Sequence, residues 1–116
     1  MGGIRILGPT NLLSAGNMSL ASLASKSMDV TSFPLGAFEI IWTGVPVGVL
    51  SVDASFDNIN FYPTGTNIDQ PAGSAHSTIV NIGFPIGFKF IRISYTKTSG
   101  TGSLTINGMA KSQGGS

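Results

Sequence analysis

The sequence predicts an all-β fold: a single antiparallel β-sandwich or jelly roll of about six to eight strands with an extended N-terminal arm. The first observation is that 16 glycines and six prolines interrupt the chain at short intervals. The second is that apolar and polar residues alternate between these interruptions, as they do in half-buried strands. The third is length, since 116 residues support one domain with one hydrophobic core.

The chain divides into three predicted segments. Residues 1–26 form the N-terminal arm or a first strand, residues 27–110 form the sandwich, and residues 111–116 form a flexible tail. Apolar residues of the stretch 11–25 fit one face of a helix, but Gly16 and several serines favour turns and caps over helix interiors. We therefore predict extended or irregular structure in this first segment.

Three strands are predicted in the first half of the sandwich segment, at residues 27–33, 37–44 and 48–55. Residues 44–48 hold a proline between glycines and are predicted to turn the second and third strands into a hairpin. The alternation places Met28 and Val30 on one face of the first strand, and it predicts that Phe38, Ile40, Trp42, Leu50, Val52 and Ala54 face inward.

The second half of the sandwich segment is predicted to begin with a long polar loop at residues 63–75. Strands follow at residues 77–83, 88–95 and 103–110, and residues 96–102 are predicted to form a hairpin turn between the last two. Ile91, Ile93 and Tyr95 are predicted to share one face of the strand at 88–95, and Leu104 and Ile106 are the apolar residues of the strand that closes the sheet.

The composition is poor in charge. Charged residues make up 9% of the chain and hydrophobic residues 41%, whereas a typical soluble domain is about 25% charged. The surface must therefore be built from serine, threonine, asparagine and glycine. Two interpretations follow: an ordinary β-domain with a Ser/Thr-rich face, or a subunit packed against others, where charges would be costly to desolvate.

The same composition argues against several classes of function. The six basic residues are scattered and the net charge is +1, so we expect no nucleic-acid partner. The absence of cysteine excludes disulfides, thiolate nucleophiles and zinc–thiolate sites. The sequence holds no run of about 18 apolar residues and no signal-peptide pattern at its start, so we expect no membrane partner.

The stretch DASFDN is the best candidate for a metal site. Asp53, Ser55 and Asp57 alternate like the oxygen ligands of a Ca²⁺ loop. An EF-hand loop starting at Asp53 would need glycine at its sixth position and glutamate at its twelfth, where Asn58 and Thr64 stand. Aspartate and asparagine at a strand end bond their own backbone in Asx-turns, so the sequence favours a turn over a metal site.

The residues that usually perform acid–base catalysis are scarce. His76 is the single histidine and lies between a loop and a strand, which favours a solvated side chain. Glu39 lies within a strand, and no base, acid and nucleophile are spaced as a recognisable set. We therefore expect no enzymatic activity and no cofactor.

Aromatic residues offer a different kind of candidate, a surface on which a ligand could stack. Trp42 and Phe61 follow the alternation of the core, so they are predicted to be buried. The aromatic residues predicted to face a ligand are Phe56, Tyr62 and Phe84.

Three segments together resemble a known class of proteins. They are WTGVPVG at residues 42–48, ASFDNINF at 54–61 and FIRISYTKTSGTG at 90–102. This succession is similar to that of small β-sandwich structural proteins found in the virions of tailed bacteriophages. The resemblance covers residues 27–110 and implies a non-enzymatic virion subunit with a sandwich fold.

The resemblance also implies partners and a location. The expected function is that of a capsid decoration or cement protein, or another accessory subunit. Such a subunit would be made in the cytoplasm of the bacterial host and would bind the major capsid protein or other virion proteins on the exterior of the particle. The alternative is a carbohydrate- or receptor-binding module of a phage tail or fibre.

A subunit of this kind is expected to form a homo-oligomer, either a dimer or a trimer. The arm and the loop at residues 63–75 are the segments predicted to reach neighbouring subunits. The residues predicted to make those contacts are Ile4, Ile6, Leu7, Leu12, Leu13, Tyr62, Ile68 and Pro71.

Overall fold

The computed structural model describes residues 6–30, 35–83 and 89–111, and these form nine strands. None of the described residues belongs to a helix that could span a bilayer. The strands are β1 (Ile6–Asn17), β2 (Ser22–Ala24), β3 (Met28–Asp29), β4 (Leu35–Gly44), β5 (Val47–Ser55), β6 (Tyr62–Asp69), β7 (His76–Gly83), β8 (Phe90–Ser99) and β9 (Gly102–Lys111).

The strands form two antiparallel sheets that pack into a sandwich, which confirms the predicted fold class. One sheet has the order β1-β9-β4-β7. The other has the order β2-β8-β5-β6, and the short strand β3 also pairs with β8. The described strands are more numerous than predicted because β2 and β6 were not expected as separate strands.

One hydrophobic core lies between the sheets, and the inward-facing residues predicted from the alternation are found there. Phe38, Ile40 and Ile106 from the first sheet are fully buried. Leu50 and Ile91 from the second sheet are fully buried and belong to the same cluster. The remaining core residues are Leu12, Met18, Met28, Val30, Trp42, Val52, Ala54, Ile93, Tyr95, Leu104 and Ala110.

Both predicted hairpins are wrong, because each joins strands that lie in different sheets. β4 continues through Val45 and Pro46 into β5 of the opposite sheet, and β8 continues through Gly100 and Thr101 into β9. The two crossings run side by side, since the Val45 N–H donates to the Thr101 carbonyl at 2.8 Å. A two-stranded ribbon therefore passes from one sheet into the other. The alternation along a strand predicts its buried face but not its neighbours.

Of the segment predicted as an N-terminal arm or first strand, residues 6–17 form the strand β1. β1 pairs antiparallel with β9 from Ile6 opposite Lys111 to Asn17 opposite Ser103, with shifts of register on the way. Further along, Lys26 donates its main-chain N–H to the Leu12 carbonyl at 2.9 Å. This segment is therefore part of the sandwich.

The predicted loop at residues 63–75 is wrong over its first half, where β6 pairs with β5. The sequence suggested a loop because Pro63 and several small polar residues stand there. β6 lies at the edge of its sheet, where proline is tolerated, and the Thr64 hydroxyl donates to the Val52 carbonyl at 2.9 Å. The turn predicted at residues 96–102 is likewise shorter, because β8 continues to Ser99.

Candidate binding surface between β5 and β6

Residues 56–61 form a turn that is held together by Ser55, the last residue of β5. The Ser55 hydroxyl accepts hydrogen bonds from the main-chain N–H groups of Asp57 at 3.2 Å and Asn58 at 2.9 Å. It donates to Asp57 Oδ1 at 2.9 Å. Serine at a strand end therefore starts the turn by satisfying N–H groups that have left the ladder.

The Asp57 carboxylate completes this network. Asp57 Oδ1 accepts the main-chain N–H groups of Ile59 and Asn60, both at 2.9 Å, and Oδ2 accepts the Asn60 side-chain amide at 2.9 Å. These hydrogen bonds hold the pKa of Asp57 well below its usual range. The main-chain N–H groups of Asn60 and Ile59 contribute most, and the Ser55 hydroxyl contributes less. The predicted Asx-turn is confirmed, and both carboxylate oxygens are engaged within it.

Asn58 fixes the position of the turn against the rest of the molecule. Its φ of 61° lies in the left-handed region, which asparagine tolerates better than most residues. Its side-chain carbonyl accepts a hydrogen bond from the Ser27 hydroxyl, just before β3. The turn is thus joined to a segment distant in the sequence.

Three large apolar side chains point away from this turn into solvent. Phe56 is 69% exposed, Ile59 is 80% exposed and Tyr62, at the start of β6, is 65% exposed. We call these three residues the turn surface. The side chains of Asp57, Asn58 and Asn60 are hydrogen-bonded within the chain, whereas these three apolar side chains are left for a partner.

A shallow depression of about 180 Å³ lies between Phe56 and Tyr62. The structure thus brings together two of the three aromatic residues predicted to face a ligand, while Phe84 lies outside the described residues. The depression is lined by Ala54, Ser55, Phe56, Tyr62, Pro63 and Thr64.

Asp53, the other acidic residue of the DASFDN stretch, forms an ion pair on the outer face of the second sheet. Arg92 Nε donates to Asp53 Oδ2 at 3.1 Å from the neighbouring strand β8. The guanidinium group of Arg92 lies over the Phe61 ring, 4.3 Å from its centroid. Phe61 is therefore half-buried beneath an arginine rather than inside the core, which corrects the prediction for this residue.

The residues considered for catalysis make separate contacts in the structure. His76 is exposed at the start of β7, and its ring centroid lies 5.3 Å from that of Trp42. The Trp42 indole N–H donates to the Ser74 carbonyl at 2.7 Å, and Glu39 accepts from the Asn107 amide at 3.0 Å. Across the described parts of the chain, no three His, Cys, Asp or Glu side chains are grouped to hold a metal ion.

The residues predicted to contact neighbouring subunits differ in their burial. Leu12 and Pro71 are buried within the chain, so they belong to its own core and not to its surface. Leu13 and Ile68 are half-buried and pack against that core, whereas Tyr62 is exposed. The main chains of Ile6 and Leu7 pair with β9, and Ile4 lies outside the described residues.

Sequence reasoning missed Ile59 and Arg92. Ile59 carried a signal, because an apolar residue between two asparagines in a turn has no place in an alternating strand pattern. Arg92 lies on the strand face opposite to Ile91 and Ile93, as the alternation predicted, but its pairing with Asp53 depends on the register between β5 and β8. That register cannot be predicted from the sequence of either strand alone.

No protein-family model and no curated protein sequence matches this chain. Among solved structures, it is similar to the SPBc2 prophage-derived protein YomS, with 11% identity, a TM-score of 0.49 and coverage of 97% of this chain and 96% of that one. It is also similar to CBM29_1, a family 29 carbohydrate binding module from Piromyces equi, with 10% identity, a TM-score of 0.47 and coverage of 90% of both chains. Structural similarities at these identities and TM-scores do not indicate the function of this chain.

Proposed function

We propose that this chain is a non-enzymatic structural subunit of a bacteriophage particle, a capsid decoration or other accessory protein that binds neighbouring virion proteins on the particle's exterior. The observation that carries the proposal is the turn surface of Phe56, Ile59 and Tyr62. These side chains are exposed, while the turn beneath them is held by Ser55 and Asp57. A preorganised apolar surface binds a protein partner with little loss of conformational entropy.

Two features of the sequence support the same proposal. The segments at residues 42–48, 54–61 and 90–102 resemble virion proteins of tailed phages, and the turn lies in the second of them. Charged residues make up only 9% of the chain, so few charges would need to be desolvated when the subunit is packed in a particle.

The test is to quantify the chain by mass spectrometry in purified particles of the phage that carries its gene. We expect many copies per particle. Ile59→Asp should reduce incorporation by about tenfold or more, because it places a charge in the centre of an apolar contact. Leu20→Asp is the matched control, since Leu20 is an exposed apolar residue outside the turn. Absence of the chain from the particles, or equal incorporation of both variants, would overturn the proposal.

A second candidate function is the binding of a carbohydrate. The observation that favours it is the depression between Phe56 and Tyr62, where two exposed aromatic side chains flank a concave surface. Aromatic rings with a few polar groups beside them are typical of small-ligand sites. Here the Thr64 and Ser55 side chains line the same depression.

A glycan array distinguishes the two candidates. A sugar-binding module should bind at least one glycan, and Tyr62→Ala should remove that binding while the protein remains folded. Ile59→Ala should retain it, because Ile59 does not line the depression. An array without binding, combined with normal particle incorporation of Tyr62→Ala, would reject the carbohydrate function.

A further inference from the structure

The sandwich has four sheet edges, and three of them carry features that oppose pairing with another chain. β1 has three shifts of register and contains Pro9, and β6 has two shifts of register and contains Pro63. The edge formed by β2 and β3 consists of strands of three and two residues. Bulges, prolines and very short strands are the usual protections of a sheet edge.

The fourth edge, β7, has none of these protections. Its eight residues pair with β4 without a shift, from His76 opposite Trp42 to Gly83 opposite Leu35. It contains no proline and no Asp, Glu, Lys or Arg. Among the described residues, no strand pairs with its other side. A regular uncharged edge of this length presents unpaired main-chain N–H and C=O groups to a further strand.

The side chains of β7 divide between the two faces of the sheet. Thr78 and Val80 lie opposite the buried residues Ile40 and Phe38, so they face the core and are half-buried. On the outer face, Ser77, Ile79 and Asn81 are exposed, and Ile79 is 68% exposed. This places one large apolar side chain at the middle of the free edge.

We propose that β7 pairs with β7 of a second copy of this chain, antiparallel and with the two Ile79 residues opposite each other. In this register Ser77 lies opposite Asn81 on the outer face, so polar residues meet polar residues and Ile79 meets Ile79. On the inner face Thr78 lies opposite Val80, which covers the half-exposed edge of the core. No like charges meet, because the strand has none.

The resulting interface is closed. A twofold axis through the Ile79 pair uses the same strand of both copies, so one free edge on each chain is consumed and a dimer forms instead of a filament. The two four-stranded sheets become one continuous sheet of eight strands. The inference goes beyond the proposed function and does not depend on it, because it concerns the isolated chain.

The first test is the mass of the purified full-length protein, measured by sedimentation equilibrium over a range of concentrations. We expect a dimer of the 11.9 kDa chain. Ile79→Lys should raise the dimer dissociation constant by about tenfold or more, because it replaces an apolar cross-strand pair by two like charges. Leu20→Lys is the matched control and should leave the dimer unchanged, since Leu20 is an exposed apolar residue outside both β7 and the turn surface.

The second test reports the register. The chain has no cysteine, so Ile79→Cys introduces a single thiol that can form only an intermolecular disulfide. Directly opposed antiparallel residues have Cα atoms about 4.5–5.5 Å apart, within the range for a disulfide. We expect a mild oxidant to convert Ile79→Cys to covalent dimers, and Leu20→Cys to remain monomeric on a denaturing gel.

Several results would overturn the inference. They are a monomer at every concentration, a polymer larger than a dimer, or a dimer that Leu20→Lys weakens as much as Ile79→Lys does. If the protein is a monomer and Ile79→Lys prevents its incorporation into particles, a strand of another protein pairs with β7. That result also rejects self-pairing. Circular dichroism of each variant excludes unfolding as the cause.

Discussion

Arg92 lies over the ring of Phe61, with its guanidinium carbon 4.3 Å from the ring centroid. The same side chain donates its Nε–H to Asp53 at 3.1 Å. It therefore joins the turn between β5 and β6 to the outer face of the sheet, using the charge of a buried carboxylate and the π face of an aromatic ring.

Removing Arg92 should destabilise the fold. We expect Arg92→Ala to lower the free energy of unfolding by about 1–2 kcal/mol, because Asp53 loses its cation and Phe61 loses its cover. Arg92→Lys should give a smaller loss, since lysine keeps the charge but not the planar stack. Urea unfolding measures both. Lys26→Ala is the control, because the main-chain N–H of Lys26 makes its bond to Leu12 in either form; an equal loss there would contradict the prediction.

The crossing between β8 and β9 should depend on glycine at position 100. Gly100 has a φ of 82°, and a Cβ there would lie 2.1 Å from the main-chain oxygen of Val45. We expect Gly100→Ala to cost at least about 3 kcal/mol, because both the backbone conformation and the neighbouring strand must change.

Gly73→Ala separates these two causes. Gly73 also has a positive φ, 92°, but the nearest atom to an added Cβ is a Val47 methyl at 3.9 Å. We expect this variant to lose only about 1–2 kcal/mol, the cost of the backbone conformation alone. Thermal unfolding of both variants makes the comparison, and an equal loss in the two would show that the close approach of the strands contributes nothing.

The core was predictable from the sequence, whereas the arrangement of the strands was not. Phe38, Ile40 and Trp42 alternate with more polar residues, and a strand has only two faces, so one pattern determines which face is buried. That pattern does not say that β4 pairs with β9, because partners such as Ile40 and Ile106 are distant in the sequence. The short Gly/Pro segments were interpreted as hairpin turns, although they carry the chain between sheets.

The same distinction applies to the candidate site. The Asx-turn at Asp57 was predictable because its hydrogen bonds reach only two or three residues along the chain. The ion pair of Asp53 with Arg92 was not, since it needs the register between two strands. The free edge of β7 also follows from the topology alone, because it depends on which strand ends each sheet.

The Asp57 carboxylate should make stability depend on acid pH. Its pKa in the folded protein lies below its ordinary value of 3.8, so below that pH the unfolded chain takes up a proton that the folded chain does not. This contribution is complete above pH 3.8 and is lost as the pH falls through that value towards the lower pKa of the folded state. The slope of the free energy of unfolding against pH is proportional to the number of protons taken up on unfolding. Asp57→Asn should reduce that number by up to one in this range.

Urea unfolding in a series of acidic buffers measures this slope. Asp57→Glu is the control for geometry, because it retains a carboxylate but moves it away from the N–H groups of Ile59 and Asn60. We expect it to lose the same dependence as Asp57→Asn. If Asp57→Asn kept the slope of the original protein, the network of the turn would not be the source of the pH dependence.

Tyr95 should limit stability in alkaline solution. Its ring is fully buried in the core and its hydroxyl donates to the Val47 carbonyl at 3.0 Å. Burial raises the pKa of this phenol above its ordinary value of 10.0. As the pH rises above 10.0, the unfolded chain loses the proton first. The free energy of unfolding therefore decreases as the pH rises from 10.0 to the higher pKa of the folded state. Tyr95→Phe should remove this decline and cost about 1 kcal/mol at neutral pH through the lost hydrogen bond.

The phenolate absorbance of the Tyr62→Phe variant tests the origin of the decline. The chain has two tyrosines, so this variant reports Tyr95 alone. A phenolate cannot donate to the Val47 carbonyl and would leave a charge on a buried ring, so ionisation is favoured in the unfolded chain. We therefore expect the absorbance to rise at the same pH at which the β-sheet circular dichroism is lost. A phenolate signal that develops while the circular dichroism is unchanged would place the Tyr95 hydroxyl within reach of water in the folded protein.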